Sequence, residues 1–104
     1  MTDFVSIIPA RIGSKGIVKK NLYPLNGKPL IQWTVESSLG SDYVSETVVS
    51  SDSDEILNFN NILSYKKHKR RHDLSNDTAR SEDVILNVLN EMNHLKDYEY
   101  LILL

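Results

Sequence analysis

Just past an apolar run that stops at Pro9, the chain gathers Arg11, Gly13, Ser14, Lys15, Gly16, Lys19, Lys20 and Asn21 in one short stretch. These residue types together suit an anion. Glycines let the backbone bend so that its N–H groups converge. Arginine presents a planar two-pronged donor to phosphate oxygens, and lysine a point charge. The Asn21 amide both donates and accepts, which suits a ribose hydroxyl as well as an ordinary Asx turn. The stretch is neither a G-x-x-x-x-G-K-S/T loop nor a G-x-G-x-x-G fingerprint. On pattern alone, a phosphate cradle and a solvated lysine-rich turn carry comparable weight.

A second basic run holds Lys66, Lys67, Lys69, Arg70 and Arg71. A guanidinium there can donate to the acceptors of a nucleotide base. A solvated basic face explains the run nearly as well. A nucleic-acid surface is disfavoured, because Tyr65 is the one aromatic residue available for stacking. His68, His72 and His94 have no ligand spacing, and no metal site is expected from them.

The elements that must position these residues follow from hydrophobic patterning. Phe4, Val5, Ile7 and Ile8 predict a central strand buried on both faces. A loop is expected from Ala10 to Lys28. Pro29 suits the first position of a helix, and Leu30, Ile31, Trp33, Thr34, Val35 and Leu39 give its apolar stripe. Gly40 should stop it, and Trp33 should pack between helix and sheet. Glu46–Ser50 reads as a second strand. Ser51 and Asp54 sit at capping-box spacing before a helix expected to reach Ile62 or Leu63, weakened by Asn58, Asn60 and Asn61. Ser81 suits an N-cap, with Glu82 and Asp83 in the first turn. Val84, Ile85, Val88, Leu89 and Met92 recur at helical spacing. Tyr100–Leu104 is the last strand. Strands alternating with helices imply an α/β fold with a mainly parallel sheet. Ligands of such sheets bind beyond the carboxyl ends of the strands, which gathers the loop after the first strand, the Ser50–Ser53 turn and the Thr78–Ser81 segment.

The stretch from Ile7 to Ile31 resembles the N-terminal signature of the acylneuraminate cytidylyltransferases, the CMP-sialic acid synthetases. It agrees with that family at Pro9, Ala10, Arg11, Gly13, Ser14, Lys15, Gly16, Lys20, Asn21, Leu25, Gly27, Pro29, Leu30 and Ile31. Val48–Ser53 is similar to the family's V-V-S-T-D-S, and Arg70–Ser81 to its block ending D-T-A-x-S. There Arg71 stands where the family has proline. The resemblance implies a Rossmann-like three-layer αβα fold of the nucleotide-diphospho-sugar transferase type, truncated, with a third strand in Ser64–Arg71. As a strand, that lysine-rich segment belongs at a solvated edge. It implies Arg11 and Lys20 as catalytic phosphate ligands, and Ser14, Lys15, Asn21, Arg70 and Ser81 as further CTP-binding residues. It also implies transfer of CMP from CTP to a nonulosonic sugar acid, Mg²⁺ with its ligands beyond residue 104, and homodimers of the intact enzymes. Asp77 and Asp52 are read as turn residues rather than metal ligands.

Composition sets the outer bounds. The chain has 104 residues, an apolar fraction of 40%, a charged fraction of 25% and a net charge of −2. That suits one small globular domain with no bias toward nucleic acid or anionic membrane. There is no cysteine, so disulfides and thiolate metal sites do not arise. No apolar run approaches the roughly 20 residues that span a bilayer, and Met1-Thr2-Asp3 lacks the basic start of a signal peptide. Cytoplasmic residence is expected. The chain stops inside the apolar Tyr98–Leu104 run. Residues 1–104 are therefore expected to be a truncated, N-terminal nucleotide-binding part of a cytidylyltransferase domain, binding CTP weakly and inactive alone. Two rivals remain: a non-catalytic fragment acting through protein interaction, and another sugar nucleotidyltransferase.

Overall fold

A computed structural model describes residues 4–10, 20–69, 81–98 and 100–103. The first apolar run forms strand β1 (Phe4–Pro9), and its alternation supplies two cores at once. Val5 and Ile7, with Val48 beside them, pack against Val84, Val88 and Leu95. Ile8 and Ala10, with Val49, pack against Ile31, Val35, Ile56, Leu57 and Tyr65. Each fully buried Val or Ile stabilises the fold by about 1.5–3 kcal/mol, so β1 is the hinge of the packing.

β1 lies between two parallel neighbours. β4 (Val44–Ser51) pairs with it from Phe4↔Val44 to Pro9↔Ser50, and β6 (Tyr100–Leu103) from Phe4↔Tyr100 to Ile7↔Leu103. β5 (Lys66–Lys69) adds to β4 from Val48↔Lys66 to Ser51↔Lys69, giving the order β5–β4–β1–β6. Helices α1 (Leu30–Leu39) and α2 (Asp54–Leu57) supply the core on one face, and α3 (Ser81–Glu91) that on the other. This is the expected α/β architecture, with the lysine-rich strand at an edge of the described sheet.

Several local expectations are corrected. The stretch expected to be loop contains a two-stranded hairpin, β2 (Pro24–Leu25) with β3 (Lys28–Pro29). Its turn is Asn26-Gly27, both at positive φ (51° and 85°), the pair that a two-residue hairpin of matching twist demands. Pro29 is the N-cap residue rather than the first helical one. Gly40 closes α1 without leaving the right-handed region (φ −80°). Its N–H donates to the Glu36 carbonyl at 2.9 Å, and a Cβ there would sit 3.2 Å from that oxygen. Trp33 does not pack between helix and sheet. It is 38% exposed and lies under the hairpin. Its indole N–H donates to the Leu25 carbonyl at 2.8 Å, and the Lys28 ammonium stands 4.4 Å from the ring centroid.

The helix after β4 is one turn, far short of Leu63. Ser53 caps it, accepting from the Ile56 N–H, and the Ser51 hydroxyl accepts from the Ser53 N–H. The asparagines end it. The Asn58 amide donates to the Asp54 carbonyl, and Asn60 Oδ1 accepts from the N–H groups of Ile62 and Leu63. Such side-chain bonds compete with helix propagation.

Candidate functional site

The four strands of the main sheet are parallel, so Pro9, Ser51, Lys69 and Leu103 end on one edge. The chain passes from β1 to β4 and β5 on one side, and later returns to β6 on the other. That reversal beside β1 is the topological switch point, where crevices form in doubly wound sheets. The segment that leaves β1 there begins with Arg11. Pairing persists one residue past the strand, because the Ala10 N–H donates to the Ser50 carbonyl at 2.8 Å.

Of the residues singled out from sequence, Arg11, Ser14, Lys15 and Arg70 lie outside the described residues. Lys20 opens the short 3₁₀ turn Lys20–Leu22, and only its backbone is described. Asn21 sits half-buried in the same turn. Leu22 packs against the core formed with α1, anchoring that turn. Ser81 is the first residue of α3, again described by backbone alone. Asp52 is half-buried in the turn after β4.

The basic run on β5 divides by face. Lys67 Nζ donates to Asn58 Oδ1 at 2.7 Å, and Lys69 pairs with Asp54 at 3.0 Å, both on the α2 side. These exposed contacts contribute little each, about 0–1 kcal/mol. His68 points the other way and is buried (4% exposed). Its Nδ1 lies 2.9 Å from Ser50 Oγ, and its Nε2 lies 2.6 Å from Glu91 Oε1. Reading the histidines only for metal spacing misses this chain of bonds. The available signal was period-two alternation, which puts His68 opposite its lysine neighbours. Elsewhere, burial raises the Tyr65 hydroxyl pKa. The Lys28 ammonium and then the Gln32 amide hold the Glu36 carboxyl below the usual carboxylate range.

A hollow of about 380 Å³ lies between Leu39, the first half of β4 and Lys66. It flanks the start of β4, away from the carboxyl edge, so it is not the switch-point crevice. Among the described residues, no three His, Cys, Asp or Glu side chains are grouped to hold a metal ion.

A family model for cytidylyltransferases matches residues 5–101. The chain belongs to the cytidylyltransferase family. It is 40% identical over 98 residues to a pseudaminic acid cytidylyltransferase of Campylobacter jejuni, covering 88% of this chain and 41% of that protein. It is 34% identical over 103 residues to the N-acylneuraminate cytidylyltransferase of Escherichia coli, covering 99% of this chain and 24% of that protein. Among solved structures, CMP:2-keto-3-deoxy-manno-octonic acid synthetase complexed with CTP superposes with a TM-score of 0.73 at 22% identity, over 98% of this chain and 40% of that one. That likeness establishes the shared nucleotide-sugar transferase fold. The chain thus spans well under half the length of these cytidylyltransferases. No helix among its described residues is long and apolar enough to cross a membrane.

Proposed function

We propose that these 104 residues form the CTP-recognition part of an enzyme that transfers CMP to a nonulosonic sugar acid. In that reaction a sugar hydroxyl oxygen attacks the α-phosphorus of CTP. The bond from that phosphorus to the bridging oxygen breaks, pyrophosphate leaves, and the hydroxyl proton is released. Little covalent chemistry falls to the protein, so positioning and charge neutralisation dominate. Arg11 and Lys20 neutralise the phosphate oxygens. Ser14, Lys15 and the N–H groups around Gly13 and Gly16 add donors. Asn21 meets the ribose and Arg70 the base. Ser81, opening α3, adds a hydroxyl at a helix terminus that favours anions. Removing one such charge contact slows transfer by about a hundredfold or more.

The observation that supports this reading is that β1 ends beside the switch point, in a chain of this family whose sequence continues from there into Arg11–Lys20. Mg²⁺ belongs to the reading by family only. The described residues offer no grouped ligands for it. The 104 residues alone bind CTP weakly and do not complete the transfer. Titration calorimetry with CTP, UTP and GTP tests the reading. CTP alone should give saturable heat, weakened at least tenfold by Arg11→Ala. Absence of CTP binding, or equal binding by that variant, defeats it. Equal response to UTP or GTP would instead favour another sugar nucleotidyltransferase.

A further inference from the structure

Asn26 is followed by glycine, as no other asparagine of this chain is. In that dipeptide a carboxamide is most open to attack from the main chain, because the next residue has no Cβ to obstruct its own nitrogen. Both residues are exposed, and a Cβ built on Gly27 would meet no atom within 4 Å. The turn therefore stands in solvent.

The closed turn nevertheless holds the reacting atoms apart. Asn26 and Gly27 both stand at positive φ, 51° and 85°, as a two-residue turn of the Asn-Gly type requires. A left-handed residue has ψ of about +30 to +60°, which turns the Gly27 nitrogen nearly anti to the Asn26 Cβ, away from the carboxamide carbon. Attack needs rotation about ψ, and that rotation breaks the turn. Two strands of two residues are too short to keep it closed by themselves. Helix α1 holds them. The Leu30 N–H donates to the Tyr23 carbonyl at 2.9 Å at the base of the hairpin, and the Trp33 indole N–H to the Leu25 carbonyl at 2.8 Å. The Lys28 ammonium lies 2.7 Å from the Glu36 carboxylate and 4.4 Å from the Trp33 ring centroid.

We propose that Asn26 is a site of spontaneous main-chain modification, gated by opening of the β2–β3 hairpin against the hold of Trp33 and Lys28. In the open form the Gly27 amide nitrogen gives up its proton to base and bonds to Asn26 Cγ. The Cγ–Nδ2 bond breaks and ammonia leaves, taking up a proton and closing a five-membered succinimide. Water then opens the ring at either carbonyl, giving aspartate or isoaspartate. Aspartate rebuilds the turn, since Asp-Gly suits it as well. Isoaspartate carries the chain through Cβ and Cγ, one main-chain carbon more than a two-residue turn accommodates. It leaves the hairpin open, with Leu25 released from Trp33.

The test incubates the full 104-residue chain in mildly alkaline buffer, native and in urea. Peptide mass spectrometry follows each asparagine, and Trp33 emission follows the hairpin. In urea Asn26 should convert ahead of every other asparagine, and in the native chain it should convert about tenfold more slowly or less. Trp33→Phe keeps an aromatic ring without the indole N–H, and should speed native conversion about two- to tenfold. Lys28→Met leaves the tryptophan in place and should speed it about two- to fivefold; it decides the hold on the hairpin should Trp33→Phe not fold. The isolated isoaspartyl product should show red-shifted Trp33 emission, and Asn26→Asp the emission of the parent. Equal rates in native and unfolded chains overturn the gating. A parent-like rate in either variant overturns the hold assigned to that residue. An Asn26 slower than another asparagine in urea overturns the site, and an isoaspartyl chain with parent emission overturns the opening of the hairpin.

Discussion

Removal of a single oxygen from Tyr65 tests how the α2–β5 connection is held. Tyr65 is buried just ahead of β5, and its ring stacks on Phe59 with centroids 5.2 Å apart. Its hydroxyl donates to the Leu57 carbonyl at 2.6 Å, and the Asn60 carbonyl lies 3.1 Å away. Leu57 ends α2, so its carbonyl is one of the orphan acceptors of a helix terminus. One O–H serves one acceptor well, and the shorter contact identifies it as Leu57. Tyr65→Phe keeps the ring and its stacking while leaving that carbonyl in an apolar setting. The loss should be about 1–2 kcal/mol, and each 1 kcal/mol lowers the melting temperature of a domain this size by about 4–8 °C. Urea denaturation at neutral pH measures it. The same hydroxyl gives the sign of an alkaline effect. Burial raises its folded pKa, so its contribution is complete below the unfolded value and is lost as pH rises through the folded one. Tyr65→Phe should lack that alkaline decline. A variant as stable as the parent, with an unchanged alkaline limb, would show that the bond to Leu57 does not hold this connection.

Three further outcomes are expected. Gly27→Ala meets no atom within 4 Å but must hold φ near +85°, so it should cost about 1–2 kcal/mol and expose Trp33, read as a red shift of the single tryptophan's emission. In acid, the Glu36 contribution is present above its unfolded pKa and lost as pH falls through its depressed folded value; Glu36→Gln should flatten the acid dependence of Trp33 emission, and identical curves would refute the coupling through Lys28. Ser38 and Thr47 hydroxyls meet at 2.7 Å in the core, so Ser38→Ala should destabilise by about 1–3 kcal/mol, while adding Thr47→Val should restore part of the loss in a double-mutant cycle.

The strand–helix alternation was legible wherever apolar residues recur at one clear period. Val5, Ile7 and Ile8 announced a doubly buried strand, and Val84 and Val88 a helix face, because burial leaves a periodic trace. The Asn26-Gly27 hairpin was equally written in the chain, yet reading the whole span as one loop hid it. Trp33 was misplaced because a helical stripe says which face is apolar, not what covers it. In the event a hairpin carbonyl and a lysine ammonium did.

The local chemistry of the chain was thus settled by residue type: which segments could enter a parallel sheet, which family they belong to, and where a charged segment leaves the first strand. The order β5–β4–β1–β6, the face that β5 turns inward and the meeting of Ser50, His68 and Glu91 were decided only in three dimensions. Those partners lie 18 and 23 residues apart, and a lysine-rich segment carries no hydrophobic period to reveal its buried side. Its buried side is set by what the other elements bring to it: the Ser50 hydroxyl and the Glu91 carboxylate that partner the two ring nitrogens of His68, and the core that takes Tyr65 on the opposite face.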